Sequence, residues 1–222
     1  FRFILNKNFV SNKLIQLNKK TNSFVINGFF AENINEEKKC KLKLTEYNKS
    51  NKIRVFYSSR FDENRGIDVI LKLIELDRIN QFYQFVICGF GSKEYLNKLK
   101  KFETENVQIH YEVKRESFLS LLINSEVSIN LLKNNEFALN SFPSKLIEYN
   151  CLGGIIISNV IYDEIKNNCI ETNFNSYEIY SKLIELSKSD FLIRDLEKNY
   201  SELEKYSIKN VANKLDLFLN DQ

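Results

Sequence analysis

From residue 51 onward, short apolar runs alternate with segments in which apolar residues recur every three or four positions. Runs rich in β-branched and aromatic residues predict strands, and the wider spacing predicts amphipathic helices. The strands are predicted over 52–58, 85–88, 107–111, 127–131 and 154–158. The helices between them are predicted over 66–80, 93–102, 116–124 and 144–150.

This alternation indicates the fold class. Five strands separated by helices, several of them apolar on both faces, predict a parallel sheet covered on two sides. We therefore expect an α/β fold with a doubly wound, Rossmann-like parallel sheet. From Ser176 the pattern is helical throughout, and the helices of this C-terminal tail are predicted over 176–188, 190–206 and 209–219.

The first fifty residues follow a different pattern. Strands are predicted over 2–5 and 23–27 around a short helix over 10–17, and 33–50 is polar and charged, as in an exposed linker. We expect three parts: residues 1–22 from one domain, 23–50 as an interdomain strand and linker, and 51–222 as a second domain. The sequence has no methionine, so we expect the chain to be a fragment or a processed form of a longer protein.

Composition excludes several classes of protein. The 222 residues are 43% hydrophobic and 27% charged, which is ordinary for a globular chain. The net charge of +3 comes from interleaved acids and bases and does not favour a nucleic-acid surface. Two of the four cysteines, Cys88 and Cys151, lie in apolar runs and are predicted to be buried reduced thiols. With no signal peptide and no apolar run longer than 153–158, we expect a cytoplasmic protein.

Ligands of open parallel sheets bind beyond the carboxyl ends of the strands, and loop 58–66 has charged residues at that position. Arg60 and Arg65 precede a helix N-terminus, where planar guanidinium groups suit phosphate oxygens. The alternative is a pair of surface ion pairs with Asp62 and Glu63. From the residues alone both interpretations stay open.

Two further loops carry weaker signals. Gly89 and Gly91 fall short of the dinucleotide fingerprint, because Glu94 stands where a third glycine is needed. They fit either a tight turn or the close approach of backbone to a ligand. In the other loop, Ser144 is predicted to cap a helix and leave backbone donors for an anion. Glu148, one turn on, could reach a hydroxyl of that ligand, or it could simply be a capping carboxylate that the helix dipole favours.

The single histidine limits the chemistry. His110 lies in an apolar strand and is interpreted as a packed or edge residue. One histidine allows neither a Ser/His/Asp triad nor a multi-histidine metal site. The chemistry is therefore expected to depend on carboxylates, arginines and backbone donors.

Several short motifs along the chain together match the pattern of one family. They are Val25-Ile26-Asn27-Gly28, Arg60 with Arg65-Gly66, Gly89-Phe90-Gly91, Asn106-Val107, Glu126-Val127, Phe142-Pro143-Ser144-Lys145-Leu146-Ile147-Glu148-Tyr149, and Gly153-Gly154. Through them the chain resembles, over about residues 23–220, the C-terminal, donor-binding half of GT-B-fold glycosyltransferases, specifically the large retaining group (family four) called glycosyl transferases group 1.

The resemblance implies a hexosyl-type glycosyltransferase of polysaccharide biosynthesis. It would move a sugar from a nucleotide-diphosphate donor to a glycan or lipid-linked acceptor without a metal or other cofactor. Arg60 and Arg65 would be catalytic, neutralising the diphosphate. The donor-binding residues would be Gly89, Gly91, Tyr111, Val113, Asn140, Phe142, Ser144, Lys145 and Glu148. Among them, Ser144 and Lys145 would use backbone N–H groups, and Glu148 would accept from the ribose.

The chain also departs from the family pattern. Members often have a second glutamate eight positions before the one that corresponds to Glu148, and this chain has Asn140 there. Arg65 also replaces the lysine that is commoner in the family. The N-terminal acceptor domain of the family is expected to be nearly all missing from this chain. That domain would be a partner of the donor-binding half, and the fragment alone is expected to be inactive. Two alternatives stay open: a non-catalytic nucleotide-sugar-binding module and a nucleotide-sugar epimerase of the same architecture. Peripheral association with the inner face of the cell membrane is a further expectation from the family.

Overall fold

The computed structural model of the chain describes residues 3–6, 23–26, 52–133, 143–162, 165–188 and 207–220. The strands are β1 (Phe3–Asn6), β2 (Ser23–Ile26), β3 (Ile53–Phe61), β4 (Tyr83–Gly91), β5 (Val107–Tyr111), β6 (Val127–Asn130), β7 (Ile155–Ser158) and β8 (Cys169–Glu171). The α-helices are α1 (Ile67–Asp77), α2 (Lys93–Lys100), α3 (Arg115–Ile123), α4 (Lys145–Cys151), α5 (Ser176–Ser187) and α6 (Ile208–Asn220). Short 3₁₀ helices lie at Glu63–Arg65 and Lys166–Asn168.

Strands β3 to β8 form one sheet in the order β5-β4-β3-β6-β7-β8, with every neighbouring pair parallel. The chain proceeds outward from β3 through β4 to β5 and then returns to place β6 on the other side of β3. This reversal is the topological switch point of a doubly wound sheet. The predicted α/β, Rossmann-like fold class is confirmed, and a helix, α6, lies near the C-terminus.

Both faces of the sheet are packed with apolar side chains. Val55 and Tyr57 of β3 point to one face, where they meet α1 and α5, whereas Phe56 points to the other, against α3 and α4. Alternate residues of one strand thus enter separate cores. We call the core that contains Phe56, between the sheet and helices α3 and α4, the second core. Cys88 and Cys151 are buried free thiols in this second core, as predicted.

The structure differs from the predicted elements at several places, including α1, which it ends at Asp77 rather than at residue 80, and β4, which it begins two residues earlier, at Tyr83. It adds β8, whose three residues are too few to give a recognisable apolar pattern. It also extends β3 to Phe61 and β4 to Gly91, three residues further than predicted in each case. The predicted helices over 10–17 and 190–206 and the predicted linker over 33–50 lie outside the described residues.

The two N-terminal strands, β1 and β2, pair with each other in parallel and form a sheet of their own. Helix α6 contacts β2. Across the described ranges, no helix is both long enough and apolar enough to cross a lipid bilayer.

Gly154 stands at the entry to β7, pressed against the neighbouring strand. A Cβ at this position would lie 1.3 Å from the carbonyl oxygen of Glu126. We therefore expect Gly154→Ala to lower the free energy of unfolding by about 1–3 kcal/mol, the usual range for an overpacked core. Chemical denaturation measures the loss, with Ser117→Ala on the exposed face of α3 as the control. Equal stability of the two variants would contradict the close packing.

Candidate functional site

An open cavity lies at the carboxyl ends of β3 and β6, at the topological switch point. Its volume is about 800 Å³. It is lined by Ser58, Ser59, Arg60, Asp62, Asn64, Arg65, Phe90, Leu132, Lys133, Pro143, Ser144 and Lys145. Four of these described side chains are cationic and one is a carboxylate, so the cavity favours an anion.

Arg60 is the second-last residue of β3 and lines the cavity. Its side chain is 62% exposed, and its Nε donates to Asp62 Oδ2 at 2.5 Å. The ion pair that was one of the two interpretations of Arg60 is therefore present. A guanidinium bound only through Nε keeps its terminal NH₂ groups as donors, so this pair orients Arg60 without using up its hydrogen-bonding capacity.

The backbone around Arg65 is held by two hydrogen bonds and by the turn at Gly66. Its N–H donates to Asp62 Oδ1 at 3.1 Å, and its carbonyl oxygen accepts from the buried Tyr57 hydroxyl at 2.7 Å. Gly66 follows in the left-handed region, with φ of 78°, and a Cβ there would lie 2.7 Å from Leu131 Cβ. Only glycine fits this turn, which fixes where Arg65 enters the cavity.

Helix α4 is tied to β3 at the Ser58 peptide. The Ser58 N–H donates to Tyr149 Oη at 3.0 Å, and Lys145 Nζ donates to the Ser58 carbonyl oxygen at 2.6 Å. Strand β6 pairs with β3 only as far as Tyr57. The two α4 side chains therefore satisfy backbone groups that no strand covers on that side.

The Lys145 ammonium is in an unusual environment. It is largely enclosed between the rings of Tyr57 and Tyr149, with Nζ 5.9 Å and 5.5 Å from their centroids. Burial, aided by the Arg65 charge and opposed by Glu148, lowers the pKa of Lys145 to about 7. An incoming anion would favour the protonated form.

Ser144 begins α4, but it does not cap the helix as predicted. Its backbone is helical, with φ of −54° and ψ of −31°, and its side chain makes no capping hydrogen bond. A capping residue needs extended backbone to aim its oxygen at the first turn. The first turn instead closes through Leu146 N–H on the Pro143 carbonyl oxygen at 2.9 Å. Among the described residues, no acceptor meets the Ser144 and Lys145 N–H groups.

Glu148 lies about one helical turn after Ser144 and Lys145 in α4, and its carboxylate forms an ion pair with α3. Arg115 Nη1 lies 2.6 Å from Glu148 Oε1, and the Glu148 side chain is only 17% exposed. Burial raises the pKa of Glu148, while Arg115 and Lys145 act in the opposite direction. The carboxylate thus faces two cations rather than only the helix dipole.

The glycines of β4 are explained by strand packing. A Cβ at Gly89 would lie 2.1 Å from the Ser59 carbonyl oxygen, and one at Gly91 would lie 2.9 Å from Arg60 Cγ. Because these glycines have no Cβ, β3 and β4 can pair to the ends of both strands. Tyr111 Oη donates to the Gly91 carbonyl oxygen at 2.9 Å, and Val113 packs against the second core. Of these four, none is among the described residues that line the cavity.

A match to a family model decides the classification. The model described as "Glycosyl transferases group 1" matches residues 41–210, most of the chain. The chain belongs to glycosyl transferases group 1. No curated protein sequence matches it.

Solved GT-B glycosyltransferase structures share the fold of this group 1 chain. The chain aligns with a GtfA/B complex at TM-score 0.65 and 16% identity, covering 98% of this chain and 45% of that one. It aligns with an α,α-trehalose-phosphate synthase (UDP-forming) from Burkholderia xenovorans at 0.59 and 11%, covering 90% and 51%. The chain therefore spans about half the length of these structures.

The group 1 structure brings together four of the predicted site residues: Arg60, Arg65, Ser144 and Lys145 line one cavity. Asn140 and Phe142 lie outside the described residues. Lys133 was not predicted, although its place just after β6, beside the end of β3, could have indicated it. His110 lies on the edge strand β5, in agreement with its interpretation as a packed or edge residue.

We expect the Lys145 ammonium to couple stability to pH. Above its pKa of about 7 the folded chain has lost this proton, whereas an unfolded lysine keeps it until about pH 10. The unfolded state then binds more protons, so wild-type stability should rise with pH by up to about 1.4 kcal/mol per unit between about pH 7 and about pH 9. Lys145→Met should lack this contribution. Denaturation at several pH values measures both, and parallel curves would contradict the burial of the ammonium.

Proposed function

We propose that this chain is the donor-binding half of a glycosyltransferase that uses a nucleotide-diphosphate sugar, and that the cavity holds the diphosphate. The observation that carries the proposal is the convergence of Arg60, Arg65, Lys133 and Lys145 on a cavity with one described carboxylate, at the switch point of the sheet. The family membership supports glycosyl transfer as the reaction.

In this proposal the cations act on the leaving group. Transfer of a sugar leaves negative charge on the departing nucleoside diphosphate. Arg60 and Arg65 would hold its oxygens through charged hydrogen bonds, and their fixed positions would stabilise the charge as it develops. Backbone N–H groups of Ser144 and Lys145 would add donors. The acceptor would attack a sugar carbon with oxocarbenium character, and the chain's contribution is positioning and electrostatics.

Glu148 would bind the ribose. Its carboxylate is an acceptor one turn along α4 from Lys145, whose side chain lines the cavity. A vicinal diol offers two donors to one carboxylate, so the diphosphate and ribose would use successive turns of the same element. Gly89, Gly91, Tyr111 and Val113 remain proposed donor-binding residues, with loop 111–116 flanking the base.

We also propose that the transfer needs no metal. The arginines would supply the positive charge that a divalent cation supplies in other phosphate sites. Among the described residues, no group of three or more histidine, cysteine or acidic side chains is placed to hold a metal ion. The proposal rests on the arginines.

The whole protein would need an acceptor-binding domain. We propose that residues 1–22 belong to it, that 23–50 connect the domains, and that 51–222 bind the donor. The acceptor would be a glycan or a lipid-linked sugar, reached in the cytoplasm or at the inner face of the membrane. The 222-residue chain would bind donor without turning it over.

A non-catalytic nucleotide-sugar-binding module is the second candidate, favoured by Asn140 in place of the glutamate common in the family. It predicts the same donor binding but no transfer when the acceptor domain is supplied. An epimerase would need acid and base groups at the sugar, and Asp62 is the one carboxylate among the described cavity residues.

Arginine variants test the diphosphate site. Arg60→Ala and Arg65→Ala should each weaken nucleoside diphosphate binding roughly ten- to hundredfold, because each removes charged hydrogen bonds worth about 1.5–3 kcal/mol. Titration calorimetry measures the affinities, and unfolding temperatures should stay near the wild-type value. Arg78→Ala, an exposed arginine after α1, is the matched control. Wild-type affinity in the Arg60→Ala/Arg65→Ala double variant would refute the site.

The ribose contact has a separate test. Glu148→Gln should weaken nucleoside diphosphates about tenfold by removing a charged acceptor, and it should leave inorganic pyrophosphate binding unchanged. Competition titrations with both ligands measure the difference. An equal loss for both would mean that Glu148 acts on the diphosphate or on folding rather than on the ribose.

A further inference from the structure

Arg115 and Glu148 form an ion pair between two helices. Arg115 is the first residue of α3, its side chain is 47% exposed, and its Nη1 lies 2.6 Å from Glu148 Oε1. The Glu148 side chain is much less exposed, at 17%. The pair therefore joins an accessible guanidinium to a shielded carboxylate beside the cavity.

Helix stability does not account for this placement. A cation in the first turn of a helix meets the positive end of the helix dipole, which is unfavourable. The N-cap of α3 also supplies no side-chain hydrogen bond. A positive charge in this position is better explained by what it does for Glu148.

The guanidinium is fixed in place by aromatic packing. Its carbon lies 5.6 Å from the centroid of the Phe118 ring, which packs edge-on against Phe56 at 5.6 Å. Phe56 in turn packs against Tyr149 at 5.8 Å. This row of rings connects Arg115 to α4, the helix that carries Glu148, so the two charged groups are held relative to one another.

Arg115 affects both the charge and the direction of the carboxylate. Burial favours the protonated form of Glu148, and the charged groups that oppose it are Arg115 from α3 and Lys145 from α4. Arg115 also holds Oε1, and the two oxygens of a carboxylate together offer about four acceptor positions. A carboxylate held in this way has acceptor positions left for a diol.

We propose that Arg115 is a positioning residue that holds Glu148 ionised and oriented for the ribose hydroxyls of the donor, and so makes the site selective for ribonucleotides. This inference rests on the proposed function, because it needs a nucleoside diphosphate at Glu148. Arg115 acts here through Glu148, without a contact of its own to the reacting atoms.

The test is the pH dependence of nucleotide binding by the 222-residue chain. The probes are ADP, CDP, GDP and UDP, their 2′-deoxy forms, and inorganic pyrophosphate. Binding that needs ionised Glu148 falls as the pH drops through the pKa of that carboxyl. Arg115→Ala removes the charge that lowers this pKa, so the midpoint of the fall should move up by about one pH unit. The preference for ribo over 2′-deoxy forms should decrease, and pyrophosphate binding should be unaffected.

Three further variants separate positioning from folding. Arg115→Lys keeps the charge and should restore the wild-type midpoint, whereas Arg115→Met keeps only the apolar stem and should behave like alanine. In a Glu148→Gln background, Arg115→Ala should produce no further shift, as a double-mutant cycle requires. Unfolding temperatures of each variant show whether it is folded.

Each outcome has a definite meaning. An unmoved midpoint, or equal loss of pyrophosphate and nucleotide binding, would overturn the role of Arg115 while leaving the proposed function intact. Failure of the wild-type chain to bind any nucleoside diphosphate would overturn the proposed function and this inference with it. A shifted midpoint that the lysine variant restores is the expected result.

Discussion

The cavity depends on how α4 is attached to β3. Strand β6 leaves β3 after Tyr57, and the Ser58 peptide is then satisfied by Tyr149 and Lys145 of α4. Without these partners, the partly buried N–H and carbonyl groups of Ser58 would be left unpaired on this side, which is unfavourable. The same two side chains therefore complete the hydrogen bonding of the sheet and set the position of the first turn of α4. That turn lines the cavity together with the arginines of β3 and of the turn that follows it.

This attachment places an ammonium where solvation is poor. Lys145 donates to a backbone carbonyl and lies beside two aromatic rings, and burial brings its pKa to about 7. Near neutral pH the protonated and neutral forms of Lys145 are therefore both populated. An anion in the cavity would favour the protonated form and would be attracted by its positive charge. Stability and anion binding would then be linked through the proton of Lys145.

Much of the fold was predictable from the sequence, because strand and helix periods are strong local signals. The parallel sheet and the approximate positions of β3 to β7 followed from them. The extension of β3 and β4 did not, since it depends on the Ser59 carbonyl oxygen meeting Gly89 across two strands. Strand β8 was missed because three residues carry too little pattern.

For the site, too, local sequence patterns were informative and contacts between distant residues were not. Arg60, Arg65, Ser144 and Lys145 were predicted from their loops and meet at one cavity. Side-chain capping by Ser144 was wrong because the helix opens with Ser144 already helical. The link between Arg115 and Glu148 joins residues on separate helices, and no local pattern specifies such a pair. Sequence motifs thus located the elements that line the cavity, whereas the pairing of charges required the packed structure.

The most direct test of the account is thermal unfolding of the chain with pyrophosphate, nucleoside diphosphates, the corresponding monophosphates and free nucleosides. The account predicts that the diphosphates stabilise most. At about a hundred times the dissociation constant, a ligand adds about 2.7 kcal/mol to the free energy of unfolding. Monophosphates should give less, and nucleosides little. Stabilisation by nucleosides as large as that by diphosphates, or none by any diphosphate, would contradict the claim that the cavity between β3 and α4 is built for a diphosphate.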